Sequence, residues 1–397
     1  MLFPATVIKV NNLFKAYDEI YTTVPLFRFV NSTEGLGLEY IKELYSLTLD
    51  VEQDSMQRFL NSSVVFYPKK DYSINDILNP NYFNLLYKLT IDAEKIAIYS
   101  TEYEVFDQIF TKVFGATKLT DVLYKLEDKS YRVIKNDSGI FLNMEPDIVD
   151  IDEKYLLTGS TKNIYNKNED WDFYVSVEDR TLVITFESNN YGNSKKFFNL
   201  SQLENKVIFG EAIEMELIDK SSFVSYFNKF MLPLDKETEE SLHFINEIIE
   251  KEEFVVVTSR GITNEELFLF FQTPLDKEKI VKFALDRNLQ KGEIGHYLFY
   301  LFSSETNGNL VYLYISDDEF IFSNVEPKKV NKYFSQLPLL KNTSYYKIVD
   351  EKEKLCNFFV LNLSQYLSNN FYASLDSFIV RQEFEKNNNY IIKIKAR

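Results

Sequence analysis

The side chains capable of chemistry are few and scattered along the chain. The single cysteine, Cys356, stands beside Phe358-Phe359-Val360 in a strand-like run, and an apolar setting keeps a thiol neutral and unreactive. One cysteine also excludes an intrachain disulfide and any zinc or iron–sulfur site built from several cysteines of one chain. The two histidines are His243 and His296. His243 has Glu247 one helical turn on, the spacing of a surface pair. His296, in Glu293-Ile294-Gly295-His296-Tyr297, has no second ligand nearby, and neither histidine belongs to a His-Glu-x-x-His zinc motif.

Other motifs fail in a similar way. No Gly-x-Ser-x-Gly elbow and no Gly-x-Gly-x-x-Gly loop occurs. Thr158-Gly159-Ser160-Thr161-Lys162 has the residue types of a phosphate loop without the second glycine or the Gly-Lys-Ser/Thr order, so it reads as a surface turn. Asn166, Asn168, Asp170 and Asp172 offer oxygens at alternating positions, as a calcium loop does. Trp171 nevertheless holds the place of the turn glycine, and Val177 that of the bidentate glutamate. The run Asp147, Asp150, Asp152 and Glu153 also lacks a glycine, and both stretches read as polar loops. No two of the 60 acidic residues stand out as a glycosidase-type carboxylate pair. The sequence therefore assigns no catalytic, cofactor-binding or metal residue and calls for no cofactor.

Those residues must be carried by sheets and helices, and both are legible. Ile213, Met215 and Leu217 alternate with Glu214 and Glu216; Phe173, Val175 and Val177 alternate with Asp172, Ser176 and Glu178. Leu182, Ile184 and Phe186 alternate with Thr181, Thr185 and Glu187. Period-two patterning with charge on the second face predicts antiparallel sheets covered on one side and wet on the other. Polar breaks at Glu178-Asp179-Arg180, Asn136–Gly139, Asp317-Asp318 and Asn387–Asn389 predict hairpins. Helical spacing appears in Leu13, Tyr17, Ile20 and Tyr21; in Val105, Phe106, Ile109, Phe110 and Val113; in Leu242, Ile245, Ile248 and Ile249; and in Val330, Tyr333, Phe334 and Leu337.

A unit recurs: a strand, one or two polar capping residues, then an aromatic-rich helix. It is predicted at Thr6–Val10 into Leu13, Lys95–Tyr99 into Tyr103–Phe114, Ile213–Ile218 into Phe223–Phe230, Leu267–Gln272 into Leu275–Leu285, and Glu319–Phe322 into the helix with Pro327 near its start. From Ala5 the order is strand, helix, second helix near Leu38–Leu49, strand Val64–Tyr67. From Glu211 it is strand, helix, second helix near Thr238–Glu250, strand Phe254–Thr258. The expected fold is thus α+β, with two related lobes over residues 1–195 and 206–397, a pseudo-duplication. Asn189–Ser194 breaks all periodicity between them.

Composition limits the partners. The 397 residues carry 60 acidic against 44 basic side chains, a net charge of −16 that repels phosphate backbones and anionic lipid. Nucleic acid is not an expected partner. No run approaches the roughly 20 apolar residues of a membrane-spanning helix. Phe (35) and Tyr (27) outnumber Gly (11) and Pro (9), which favours aromatic packing and contact surfaces over glycine-built phosphate loops.

The opening Phe3-Pro4-Ala5-Thr6-Val7-Ile8-Lys9-Val10-Asn11-Asn12-Leu13 resembles the start of uncharacterised envelope proteins of Bacteroidota. Their mature chains begin with Pro, a small residue, a strand and an Asn-Asn or Asn-Asp step into a helix. The stretch Leu310–Leu337, with Asp317-Asp318 at its turn, is also similar to that group. The resemblance implies an exported α+β protein without known catalytic residues. The expected function is a non-catalytic accessory protein of a bacterial cell-envelope complex, binding another protein. It would be periplasmic or envelope-bound if a signal peptide has been removed, and cytoplasmic otherwise. The alternatives are a viral or phage structural or accessory protein, and an enzyme with a dispersed carboxylate site.

Overall fold

The computed structural model describes residues 2–3, 5–28, 49, 51–69, 72–73, 87, 90–162, 170–189, 196–230, 236–262, 265–303, 310–350, 352–371 and 375–397. The predicted helix near Leu38–Leu49 and the break at Asn190–Ser194 lie outside these residues, apart from Leu49. The chain divides into two units, Met1–Gly192 with Asn387–Arg397, and Asn193–Lys386. Residues 387–397, expected from sequence in the second lobe, belong to the first unit. They form a strand that pairs with Leu182–Ser188 of the first, because Tyr390 and Ile392 find their burial there.

In the first unit the longer strands are β1 (Ala5–Val10), β2 (Ser63–Pro68), β3 (Ala93–Tyr99), β4 (Thr117–Thr120), β5 (Leu123–Leu126), β6 (Lys129–Asn136), β7 (Gly139–Leu142), β8 (Leu157–Lys162), β9 (Asp170–Glu178) and β10 (Thr181–Ser188). Their antiparallel pairings run β9-β8-β1-β2-β3-β7-β6-β5-β4. Helix α1 (Leu13–Asp18) follows β1 directly, with the Asn12 side chain accepting from the Lys15 amide at 2.8 Å. Helix α2 (Gln53–Leu60) precedes β2, and α3 (Tyr103–Gln108) follows β3. Both α1 and α3 widen into a π turn, Glu19–Thr23 and Ile109–Val113. In each, a threonine hydroxyl donates back to the carbonyl four residues earlier, Thr22 to Asp18 at 2.7 Å and Thr111 to Asp107 at 2.5 Å.

The second unit contains β11 (Ala212–Asp219), β12 (Glu253–Arg260), β13 (Leu267–Phe271), β14 (Lys291–Ile294), β15 (Tyr297–Ser303), β16 (Leu310–Ile315), β17 (Phe320–Ser323), β18 (Glu353–Asn362) and β19 (Phe378–Lys386). They pair β19-β18-β11-β12-β13-β17-β16-β15-β14, again antiparallel throughout. Numbered from the first strand of each unit, nine strands follow the same order in both, and the first unit adds β10 beyond β9. The helices fall in matching connections: α4 (Phe223–Phe227) and α5 (Lys236–Ile248) between the first and second strands, and α6 (Lys277–Asp286) between the third and fourth. Helix α7 (Pro327–Gln336) opens with Pro327 in its first turn, where no amide hydrogen is needed. The last strand, β20 (Asn389–Ala396), completes the first unit by pairing with β10.

The mixed α+β class and the antiparallel pairing follow the sequence pattern, and β9 alternates buried and exposed side chains as expected, but other strands depart from the expectation of sheets covered on only one face. Six successive residues of β12, Phe254 to Ser259, are buried, so both faces are dry. Phe254 and Val256 pack with Phe223, Tyr226, Phe227, Ile245 and Ile280 of the helices. On the opposite face Phe209 stacks on Phe268 and Phe270, with ring centroids 4.5 and 5.5 Å apart, and meets Tyr333 and Phe334 of α7. In the first unit the second face, with Val65, Ala97 and Phe141, is roofed by Met144, Val149 and Ile151 of an irregular segment. The Tyr99 hydroxyl ties that segment down, donating to the Asp147 carbonyl and accepting from the Val149 amide.

Candidate functional site

In the second unit a cleft of about 590 Å³ lies over one end of the sheet. Its floor includes Leu217 of β11, Glu253 and Val255 of β12, and Gln272 just past β13. One wall is the stretch Phe197–Lys206, which contains a short 3-10 turn, Leu200–Leu203. Lys251 and Asp318 also line it.

Behind the floor sits Glu319, a carboxylate with almost no solvent exposure. It is turned inward by the hairpin between β16 and β17. There the Ser316 hydroxyl accepts from the Glu319 amide at 3.2 Å and donates to its carbonyl at 3.1 Å. Three donors meet the carboxylate: the Tyr297 hydroxyl on one oxygen, and the Gln272 amide and the Lys206 ammonium, at 3.1 Å, on the other. Burial, then the charge of Glu319, drive the Tyr297 phenol far above its ordinary pKa, so it stays a donor. Tyr297 is fixed in turn by stacking on Phe334 at 5.1 Å. Lys196 bridges Asp219 and the lining residue Glu253, the latter at 2.5 Å. Lys251 donates to the Gln272 carbonyl at 3.1 Å.

A second polar group lies on the helix-facing side of β11, β18 and β19. Glu214 accepts from Asn357 at 3.3 Å, and Arg381 pairs with the buried Glu383. Burial, and then the neighbouring Glu214, raise Glu216 above the usual carboxylate range. The buried Cys356 thiol donates to the Glu383 carbonyl at 3.4 Å.

The residues singled out from sequence are not brought together. His243 lies on the exposed face of α5 beside Glu247. His296 sits in the turn between β14 and β15 with its ring 4.2 Å from that of Tyr297. Thr158–Lys162, expected as a surface turn, is part of strand β8. A Cβ on Gly159 would strike the Val7 carbonyl and the Phe173 ring, so glycine is there for close packing. Asp170 and Asp172 belong to strand β9 rather than to a loop, with Trp171 buried between them; Asn166 and Asn168 lie outside the described residues. Asp147, Asp150, Asp152 and Glu153 lie in the roofing segment, where Lys9 and Asn11 bond to the carbonyls of Asp150 and Glu153. Among the described residues no group of three or more His, Cys, Asp or Glu side chains is placed to hold a metal ion.

Sequence reasoning missed Glu319 and its partners because they come from positions as far apart as Lys206 and Glu319. One signal was present. Glu319 follows the turn acids but shares strand parity with Ile321, which points it into the sheet packing instead of into water.

No family model and no curated protein matches the chain. Among solved structures, crystal forms IV and III of the Treponema protein TP0453 are similar, each with a TM-score of 0.27. The identities are 10% and 12%, covering 50% of this chain and 81% and 79% of that one. At that TM-score the similarity carries no argument about fold or activity.

Proposed function

We propose that this chain is a non-catalytic binding protein that holds a protein partner in a bacterial cell envelope. The observation that carries the non-catalytic half is the state of Glu319. A general base or nucleophile must be reached by its substrate, and Glu319 is only 2% exposed and does not line the cleft. Glu319 meets donors on both oxygens and ties Lys206, Gln272 and Tyr297 into one static anchor. The binding half is supported by the β4–β5 hairpin, where Leu119 and Val122 flank the tip with 51% and 57% of their surfaces exposed. Two neighbouring apolar side chains left exposed on one turn offer a small contact patch for a partner. The envelope assignment rests on the resemblance of residues 3–13 and 310–337 to exported proteins. No helix among the described residues is long and apolar enough to cross a membrane. The shared strand order and helix placement support two units descended from one duplicated lobe.

Photo-crosslinking from position 121, an exposed site between the two residues, tests the binding reading in intact cells. One protein should be captured in stoichiometric amount, and the double variant Leu119→Ser with Val122→Ser, probed from the same position, should lose it without a change in thermal midpoint. Capture that persists in the double variant, or none with the native hairpin, overturns the assignment.

A further inference from the structure

We propose that the cleft of the second unit binds a short peptide by both of its charged ends. This goes beyond the partner reading, which rests on the β4–β5 hairpin of the other unit. Of the four charged residues that line the cleft, Lys206 and Glu253 are committed to ion pairs. Lys206 is held by Glu319, and Lys196 by Asp219 and Glu253. Two lining residues are left without a partner of opposite sign among the described residues. The Lys251 ammonium contacts only the neutral Gln272 carbonyl, and no ion pair forms at the Asp318 carboxylate. One cation and one anion on the walls of a single cleft complement a ligand bearing one carboxylate and one ammonium.

The backbone favours an extended peptide over a single amino acid. Strand β11 pairs with β18 from Ala212 to Glu216 and no further, because Phe198 takes over the pairing with Leu355. Beyond Glu216 the outer edge of β11 has no ladder partner among the described residues, and Leu217, at the start of that stretch, lines the cleft. An unpaired edge offers main-chain hydrogen bonds to an added strand. Phe198, Leu203 and Val255 supply apolar walls for side chains. A volume of about 590 Å³ lies within the usual range for small-ligand sites. The peptide's carboxylate is assigned to Lys251 and its ammonium to Asp318.

Calorimetric titration of the full chain with tri-L-alanine is expected to give a Kd of about 0.1–1 mM. Amidating the C-terminus removes the group read by Lys251, and acetylating the N-terminus removes that read by Asp318. Each should weaken binding about three- to fivefold, the scale of a solvent-exposed ion pair. Lys251→Ala should no longer distinguish the amidated peptide, nor Asp318→Asn the acetylated one. Gln202→Trp, at an exposed position on the cleft wall, should block binding while the thermal midpoint stays unchanged. The hairpin variant Leu119→Ser with Val122→Ser should bind the peptide normally, so the two assignments fail independently. Equal affinity for capped and uncapped peptides, free alanine binding as tightly as the tripeptide, or no heat at about 10 mM peptide would each overturn the proposal.

Discussion

At the scale of single residues, the groups that matter most are held in costly states. Arg180 occupies left-handed backbone at φ 63° beside Asp179 at φ 46°, a two-residue turn that glycine fits without a Cβ clash. Arg180→Gly should therefore stabilise the first unit by about 0.5–1 kcal/mol. Urea unfolding followed by the fluorescence of Trp171, the single tryptophan, checks this, since that ring is buried in the neighbouring strand. Glu216 poses an electrostatic question. Burial, then Glu214, lift its pKa in the folded state, so the native chain binds that proton more tightly than the unfolded chain. Stability then falls as pH rises from the ordinary glutamate value through the raised one. Glu216→Gln should remove that decline, giving a gain at neutral pH that vanishes near pH 3. Hydrogen exchange of the β11 amides against pH reads the difference, and a larger gain at pH 3 than at pH 7 would show the sign to be wrong.

At the scale of elements, the strand–cap–helix units were legible because each depends on neighbours in sequence. Asn12 caps α1, Asp276 caps α6 by accepting from the Lys279 amide at 3.1 Å, and Pro327 opens α7. The apolar stripes of these helices identified which face would be buried, but not which face of a sheet would receive it. That was decided by segments with weak periodicity, such as the one carrying Phe209. Its ring is fully buried among Phe268, Phe270, Tyr333 and Phe334. Phe209→Ala should cost about 3–4 kcal/mol, because the cavity opens inside an interlocked ring cluster. Faster exchange of the β13 amides with those of the first unit unchanged is the expected signature.

At the scale of the whole molecule, the C-terminal strand links sequence positions that composition and periodicity place far apart. β20 pairs with β10 from Leu182 to Ser188, and Tyr390 lies 6.0 Å from Trp171. Removing residues 387–397 would strip a ladder partner from β10 and expose the apolar side chains now covered by Tyr390 and Ile392. The truncated chain should show a lower urea midpoint by Trp171 fluorescence and a red-shifted spectrum before unfolding. An unchanged midpoint would mean that β10 does not need this partner.

What the sequence by itself determined was local: which stretches alternate, which spiral, where turns and caps fall, and which catalytic motifs are missing. These follow from side-chain spacing and backbone preference, which act over a few residues. The tertiary structure alone decided that both faces of β12 are closed, that Thr158–Lys162 is a strand, and that Glu319 meets Lys206, Gln272 and Tyr297. Such contacts join residues tens to more than a hundred positions apart. Their choice depends on which strands pair and what buries against them, and a period-two or helical pattern carries no record of its partner.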